Sequence, residues 1–355
     1  MLHSTPVIDV PLERILTHSR AKTFRACPRK HAIAYTLGYR ARGTSNALAF
    51  GNAVHKALEL YWLNRMAEQQ AELQAEPLGG DPLEALDVLY DPFLRAKARV
   101  LCAAYFALWD VEAVTVLAVE AQFAFPLVNE RGRASNYWFL GGKIDLLVQL
   151  ADGRIAIVEH KTSSEDTSAG GAYRDRLAMD SQVSIYFEGA KSLGYEADVC
   201  IYDVLLKPTQ SPLEATPIEQ RKYTKATKTK PSTLYANQRE HSETPDEYEA
   251  RIAAVVQSDV TRFLPRWEVP RLESERTDAI RDLWATGQEI LALENAVHPW
   301  PRRNPDACHT HGACEFLPVC RREASLEDRS IYVRIGPHPE LQSEAEPPSP
   351  QESEA

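Results

Sequence analysis

The sequence predicts an α/β protein in which a mixed β-sheet is flanked by helices, with helical additions before and after it. Three observations carry that reading. The first third is patterned for helices. The middle holds three strand patterns in a row, then a helix and a fourth strand. Two further helix patterns follow toward the end.

Taken in order, THSRAKTFRACPRKHAIAYTLGYR (17–40) reads as a helix that begins near Ser19 and breaks or restarts at Pro28, which has no backbone N–H to donate. Cys27 lies at that break. GNAVHKALELYWLNRMAEQQAELQ (51–74) sets Val54, Leu58 and Trp62 on one apolar stripe at helical spacing, with His55 one step round from it. The Pro, Gly and Asp of 76–83 predict a loop, and PFLRAKARVLCAAYFALWD (92–110) another helix. VTVLAVEAQFAFPL, NYWFLGGKIDLLVQL and GRIAIVEHKT are β-branched and aromatic-rich, and turn signals bound them. A helix over 177–195 and a strand over 198–208 complete a β-β-β-α-β order. Residues 208–245, with five basic residues in RKYTKATKTKPS, predict a mobile loop. Two helices are expected over 245–264 and 274–296. The domain reading is an extension over 1–18, one domain over 19–325, and an acidic, disordered tail over 326–355.

At 355 residues and 44% hydrophobic, the chain can bury a large core. No stretch is long and apolar enough to span a bilayer, and the N-terminus is charged where a signal peptide is apolar, so a cytoplasmic protein without membrane partners is expected. The formal net charge of −10 argues against coating nucleic acid by charge alone. Half of that imbalance is the five acidic residues of the last stretch, PELQSEAEPPSPQESEA. Six cysteines are too few for a disulfide scaffold of this size, which leaves metal binding for any that cluster.

The most informative residues end two adjacent strands. Asp145 closes GGKID, and Glu159-His160-Lys161 follows the apolar run IAIV. Neighbouring strands can bring the two carboxylates within reach of one Mg2+ or Mn2+ ion, which takes oxygen ligands and shares its shell with water and substrate phosphate. Alternation points Glu159 and Lys161 to one face and the His160 side chain away, leaving the His160 backbone carbonyl as a possible metal ligand. A lysine beside such carboxylates can orient and help deprotonate an attacking water, which is phosphodiesterase chemistry.

Cys308, Cys314 and Cys320 form C-x5-C-x5-C, and with the remote Cys27 they can make a four-thiolate site for Zn2+ or a [4Fe-4S] cluster. His309 and His311 offer a zinc alternative. Cys102 and Cys200 read as core residues. Arg20, Arg25, Arg29 and Lys30 around Cys27, and Arg221, Lys222, Lys225, Lys228 and Lys230, are candidates to track phosphates. With no base-reading motif, action on strand ends or structures is expected. With no phosphate-binding G-x-x-x-x-G-K-[ST] loop, no ATP-driven motor is read in this sequence.

G-x-x-D on one strand, E-x-K on the next, and QVSIY with Gln182 and Tyr186 four apart on a helix together resemble the PD-(D/E)XK nuclease superfamily. The resemblance is closest to its RecB-like exonuclease group, whose signature ends in Q-x-x-x-Y and whose N-terminal helix carries a metal-ligand His in a G-x-x-x-H setting, here Gly51 to His55. It implies a restriction-endonuclease-like core, with His55, Asp145 and Glu159 on the metal, Lys161 serving the water, and Gln182 and Tyr186 at the substrate. Glu120 is a further acidic contributor. Ile144 stands where the superfamily's name has Pro. Some members, including AddB and CRISPR-associated exonucleases, carry an iron-sulfur staple of one Cys before the core and three after it. The arrangement here is similar, with a longer first gap. The implied function is Mg2+- or Mn2+-dependent DNA hydrolysis by an exonuclease that prefers single strands or ends, in recombination, repair or phage DNA processing, with DNA and a separate helicase or recombination protein as partners. The alternatives are a structure-selective endonuclease, a non-catalytic DNA-binding subunit, and a zinc-stapled metalloenzyme of other chemistry.

Overall fold

The computed structural model describes residues 9–43, 45–70, 80–296, 300–310 and 312–342. In chain order the elements are β1 (Ile15–Leu16), α1 (His18–Ala26), α2 (Pro28–His31), β2 (Tyr39–Ala41), α3 (Asn46–Gln70), α4 (Pro92–Asp110), β3 (Thr115–Val128), β4 (Ala134–Gln149) and β5 (Ile155–Ser163). They continue with α5 (Ala172–Ala178), α6 (Ser181–Ser192), β6 (Val199–Leu206), α7 (Pro245–Ser258), α8 (Val260–Phe263), β7 (Arg266–Val269), α9 (Glu273–Glu294), α10 (Leu317–Arg321) and β8 (Tyr332–Arg334).

The long strand β4 organises the sheet. It pairs antiparallel with β3 along its length. On its other edge it pairs first with β1, in parallel, at Phe139 and Leu140, and then with β5, antiparallel, from Gln149 to Leu146. β5 pairs parallel with β6, and β6 antiparallel with β7. The result is a mixed sheet with helices on both faces, the restriction-endonuclease-like architecture.

Each face has its own apolar core. Trp62 of α3 and Tyr105 and Trp109 of α4 pack with Val148 and Val158 of the sheet, and α7 closes that layer. Phe123, Trp138 and Leu140 pack on the other face against Phe24 of α1, Tyr186 of α6 and Leu283 of α9. A small third cluster, Ile33, Tyr35, Phe316 and Tyr332, joins the N-terminal helices to the C-terminal segment.

Several expectations shift. The helix expected over 177–195 is two, because Asp180 caps a fresh start: its side chain accepts from Gln182 N at 2.9 Å, so α6 begins at Ser181. β7 and β1 carry too few residues to show a period. Ile15 and Leu16, within the expected N-terminal extension, are fully buried sheet residues. Residues 326–342, expected as the start of the tail, are part of the fold: β8 pairs antiparallel with β2, and His338 is buried beside Ile15 O at 3.0 Å. Residues 343–355, like 71–79 at the end of the expected 51–74 helix, lie outside the described residues. Among the described residues no helix is long and apolar enough to cross a membrane.

Candidate active site

The β4–β5 ladder ends at the Leu146–Val158 pair, one step before Asp145 and Glu159, while β5 goes on pairing with β6 as far as Ser163. The antiparallel neighbours therefore part where the acidic residues stand. The backbone N–H of His160, released from that ladder, donates instead to Asp145 Oδ2 at 3.0 Å. Loss of one ladder bond opens a cleft between two carboxylates.

Glu159 is buried, and its Oε2 has no hydrogen-bond partner among the described residues. Its Oε1 pairs with the Lys161 ammonium two residues on. Lys161 Nζ also donates to Gln182 Oε1 at 3.1 Å, and Gln182 Nε2 donates to Tyr186 OH at 2.8 Å. One chain of contacts thus links the strand motif to the α6 motif. His55 Nδ1, from α3, stands 3.8 Å from Asp145 Oδ2.

Burial pushes the Asp145 carboxyl up to about 7, with the nearby Glu120 charge adding to it. Burial likewise raises Glu159 to about 7 against the pull of Lys161. Burial also disfavours the Lys161 charge, but the adjoining Glu159 carboxylate more than offsets it and holds the ammonium above its ordinary range. His55 is lowered by burial and by Lys161, and His160 far more by burial, which favours the neutral form of both rings. Two carboxylates that resist ionisation, one with an orphaned oxygen, form a site short of positive charge.

Glu120 is brought into the same cluster. The β3–β4 register pairs Val119 with Leu146 and Ala121 with Ile144, which sets Glu120 opposite Asp145. Its φ of 49° is left-handed, a conformation that strains a residue with a Cβ, and its carboxylate pairs with Lys143.

Close approach of α6 to the sheet depends on glycine. A Cβ on Gly189 would lie 2.5 Å from Phe123 Cε1, and one on Gly142 would lie 2.9 Å from Phe123 Cζ. The Phe123 ring is clamped between the two, and Gln182 and Tyr186 reach the strands because of it. At Gly51 a Cβ would meet only Thr162 Oγ1, at 3.5 Å.

The family model for the PD-(D/E)XK nuclease superfamily matches residues 15–321. The chain belongs to that superfamily. A search of curated proteins finds no match. Among solved structures, one titled "Crystal structure of SSO0001" is 12% identical at a TM-score of 0.27, the match covering 68% of this chain and 76% of that chain.

In this PD-(D/E)XK chain a cavity of about 160 Å³ adjoins Asp145, Gln182 and Tyr186, and its wall includes Glu340 and Leu341. Those last two, read as tail, are neighbours of the candidate site that no local pattern marks. Among the described residues no group of three or more His, Cys, Asp or Glu is gathered tightly enough to cage a metal ion.

Cys27, Cys308, Cys314 and Cys320 line one cavity of about 260 Å³. Cys27 sits between α1 and α2, tied to the C-terminal segment by Asn304, whose N donates to Cys27 Sγ at 3.4 Å and whose Nδ2 donates to Ala26 O at 2.9 Å. His309 is exposed and outside that lining. His311 lies outside the described residues. Cys102 and Cys200 are fully buried core residues.

The basic residues divide. Arg20 is buried, donating to Glu13 O, Ile15 O and His31, with its guanidinium 4.7 Å from the Trp138 ring centre. It is a structural residue and cannot track phosphates. Arg25 and the Lys222, Lys225, Lys228 and Lys230 run are exposed. Beside Cys320, Arg29, Arg303, Arg322 and the half-exposed Trp300 line a cavity of about 500 Å³ with no acidic residue in its wall among the described residues.

Proposed function

We propose that this nuclease is a Mg2+- or Mn2+-dependent deoxyribonuclease of the RecB-like group, acting as an exonuclease on single strands or DNA ends in recombination, repair or phage DNA processing within the cell. The observation that carries the reading is the buried Oε2 of Glu159, without a hydrogen-bond partner among the described residues, one step past the point where β5 parts from the strand that bears Asp145. Burying an unpaired carboxylate oxygen is costly, and a cation makes it useful.

Asp145, Glu159 and His55 would hold the cation, with the His160 backbone carbonyl as a further donor. The carboxylate oxygens suit Mg2+ or Mn2+, and the imidazole nitrogen of His55 is a donor better matched to the softer Mn2+ than to Mg2+. When bound, the ion supplies neutralisation of charge on the attacked phosphate and lowers the pKa of water. Lys161 has three N–H donors, and two are engaged by Glu159 and Gln182. The third is left to orient the attacking water. Gln182 is oriented at both ends, and Tyr186, which accepts from it, keeps its own proton for a phosphate oxygen. Glu120 and Lys143 adjust the charge of the site.

The four cysteines are proposed to hold a [4Fe-4S] cluster, with Zn2+ as the alternative. They line one cavity, which supports a shared group, and both a [4Fe-4S] cluster and Zn2+ accept four thiolates. The cluster would fasten the N-terminal helices to the segment after α9. Arg29, Arg303, Arg322 and Trp300 next to it offer phosphate partners and one stacking face to DNA.

The test is degradation of end-labelled linear and covalently closed circular single strands in Mg2+ or Mn2+, with iron and sulfide assayed on the anaerobic preparation. Digestion of linear DNA only supports the exonuclease. Cutting of circles supports the structure-selective endonuclease, and inertness on both supports a binding subunit.

A further inference from the structure

The middle residue of Glu159-His160-Lys161 has a side chain that the mechanism leaves unused. His160 is 3% exposed and ends a buried chain of polar contacts. Trp62 Nε1 donates to Tyr105 OH at 2.9 Å, and Tyr105 OH lies 2.8 Å from His160 Nε2. An indole N–H only donates, so Tyr105 cannot give its proton to Trp62. Its other partner among the described residues is His160 Nε2. A fully buried hydroxyl proton without an acceptor is costly, so Tyr105 donates and Nε2 accepts. A neutral imidazole that accepts at Nε2 carries its proton on Nδ1. Nδ1 lies 3.7 Å from Asp145 Oδ2, an electrostatic contact longer than a hydrogen bond, on the same oxygen that takes the His160 backbone N–H.

We propose that His160 is a positioning residue: Tyr105 locks its ring as the Nδ1–H tautomer, and this N–H, with the residue's own backbone N–H, fixes Asp145 for cation binding. The inference rests on the nuclease reading above. It also assigns the side chain a negative property, since with Nε2 occupied and Nδ1 protonated the ring is not a metal ligand. Partners that hold a metal-binding side chain in place typically change metal affinity by ~10–100-fold when removed.

Two conservative variants separate positioning from mere packing. His160→Asn retains an amide N–H near the place of Nδ1 and loses the Tyr105 contact. His160→Gln retains an acceptor for Tyr105 and loses the N–H toward Asp145. The readout is Mn2+ affinity by electron paramagnetic resonance on the full chain without DNA, alongside urea stability. Positioning predicts that His160→Asn binds Mn2+ within about threefold of wild type, and that His160→Gln is weakened ~10–100-fold although it is the more stable variant. Wild-type affinity in His160→Gln, or affinities that simply follow stability, overturns it. Long-range 1H–15N correlation on histidine-labelled wild type needs no variant, and a proton on Nε2 of His160 overturns the tautomer lock. A wild type that binds no Mn2+ but carries the Nδ1 proton overturns the nuclease reading and the positioning role together, with the lock itself left standing.

Discussion

Replacing Gly189 by alanine tests how α6 is held. The added Cβ would lie 2.5 Å from Phe123 Cε1 and 2.7 Å from Cδ1 and Cζ, where ordinary carbon contacts need about 3.5–4 Å. Ring or helix must give by about 1 Å. The ring has little room, being 2% exposed and tight against Gly142 on its other side. Overpacking of this kind costs about 1–3 kcal/mol, against a gain of about 1 kcal/mol for alanine over glycine inside a helix, so the net loss is about 0–2 kcal/mol. The larger effect is on activity. Moving α6 by about 1 Å breaks the 3.1 Å Lys161–Gln182 contact, and misplacement on that scale can cost ~100-fold. Gly51→Ala is the matched control: its Cβ meets only Thr162 Oγ1 at 3.5 Å, so it gains about 1 kcal/mol of helix propensity at unchanged activity. Urea unfolding and Mn2+-dependent cleavage rates measure both. A fully active, more stable Gly189→Ala protein refutes the clamp.

Further outcomes are expected. Arg20→Met keeps the aliphatic stem but orphans two backbone carbonyls and His31, so it destabilises by about 3–5 kcal/mol in urea unfolding; a loss under 1 kcal/mol contradicts the buried role. Glu120→Gly relieves the left-handed φ, gaining about 1 kcal/mol of stability while cleavage slows; faster cleavage would remove Glu120 from the site. Asp145 and Glu159 are raised to about 7, so the folded chain holds their protons more tightly than the unfolded one. Stability from this source is fully present below about pH 4 and is lost as pH rises through about 7. In EDTA, Glu159→Gln should therefore gain on wild type by about 1–3 kcal/mol between pH 5 and 8, and a pH-independent difference between them contradicts the site's charge balance.

That the candidate residues would come together was legible because their spacing is local. Two residues apart on a strand puts Glu159 and Lys161 on one face, four apart on a helix puts Gln182 and Tyr186 on another, and tertiary packing only had to bring the faces together. The sheet's extent was not legible, since β1 and β7 are shorter than any reliable period and owe their pairing to β4 and β6. Nor was the parting of β4 from β5, which is an interruption of pairing between segments that both read as strand. Arg20 shows the limit of charge reading: among Arg25, Arg29 and Lys30 it looks like part of a basic face, yet its position on α1 turns it onto Trp138 and two backbone carbonyls. Glu340 and Leu341 reach the cavity because β8 returns to β2, a long-range pairing that an acidic composition conceals.

The most direct test of the central claim is cleavage of end-labelled single-stranded DNA in Mg2+ and Mn2+ by the anaerobically purified wild type beside Glu159→Ala and Lys161→Ala. Metal-dependent degradation by the wild type, lost in both variants while their unfolding curves show a folded protein, is the expected result. Variants that cut as fast as the wild type, or a wild type inert on every DNA form, would contradict the assignment of this cleft as a nuclease active site.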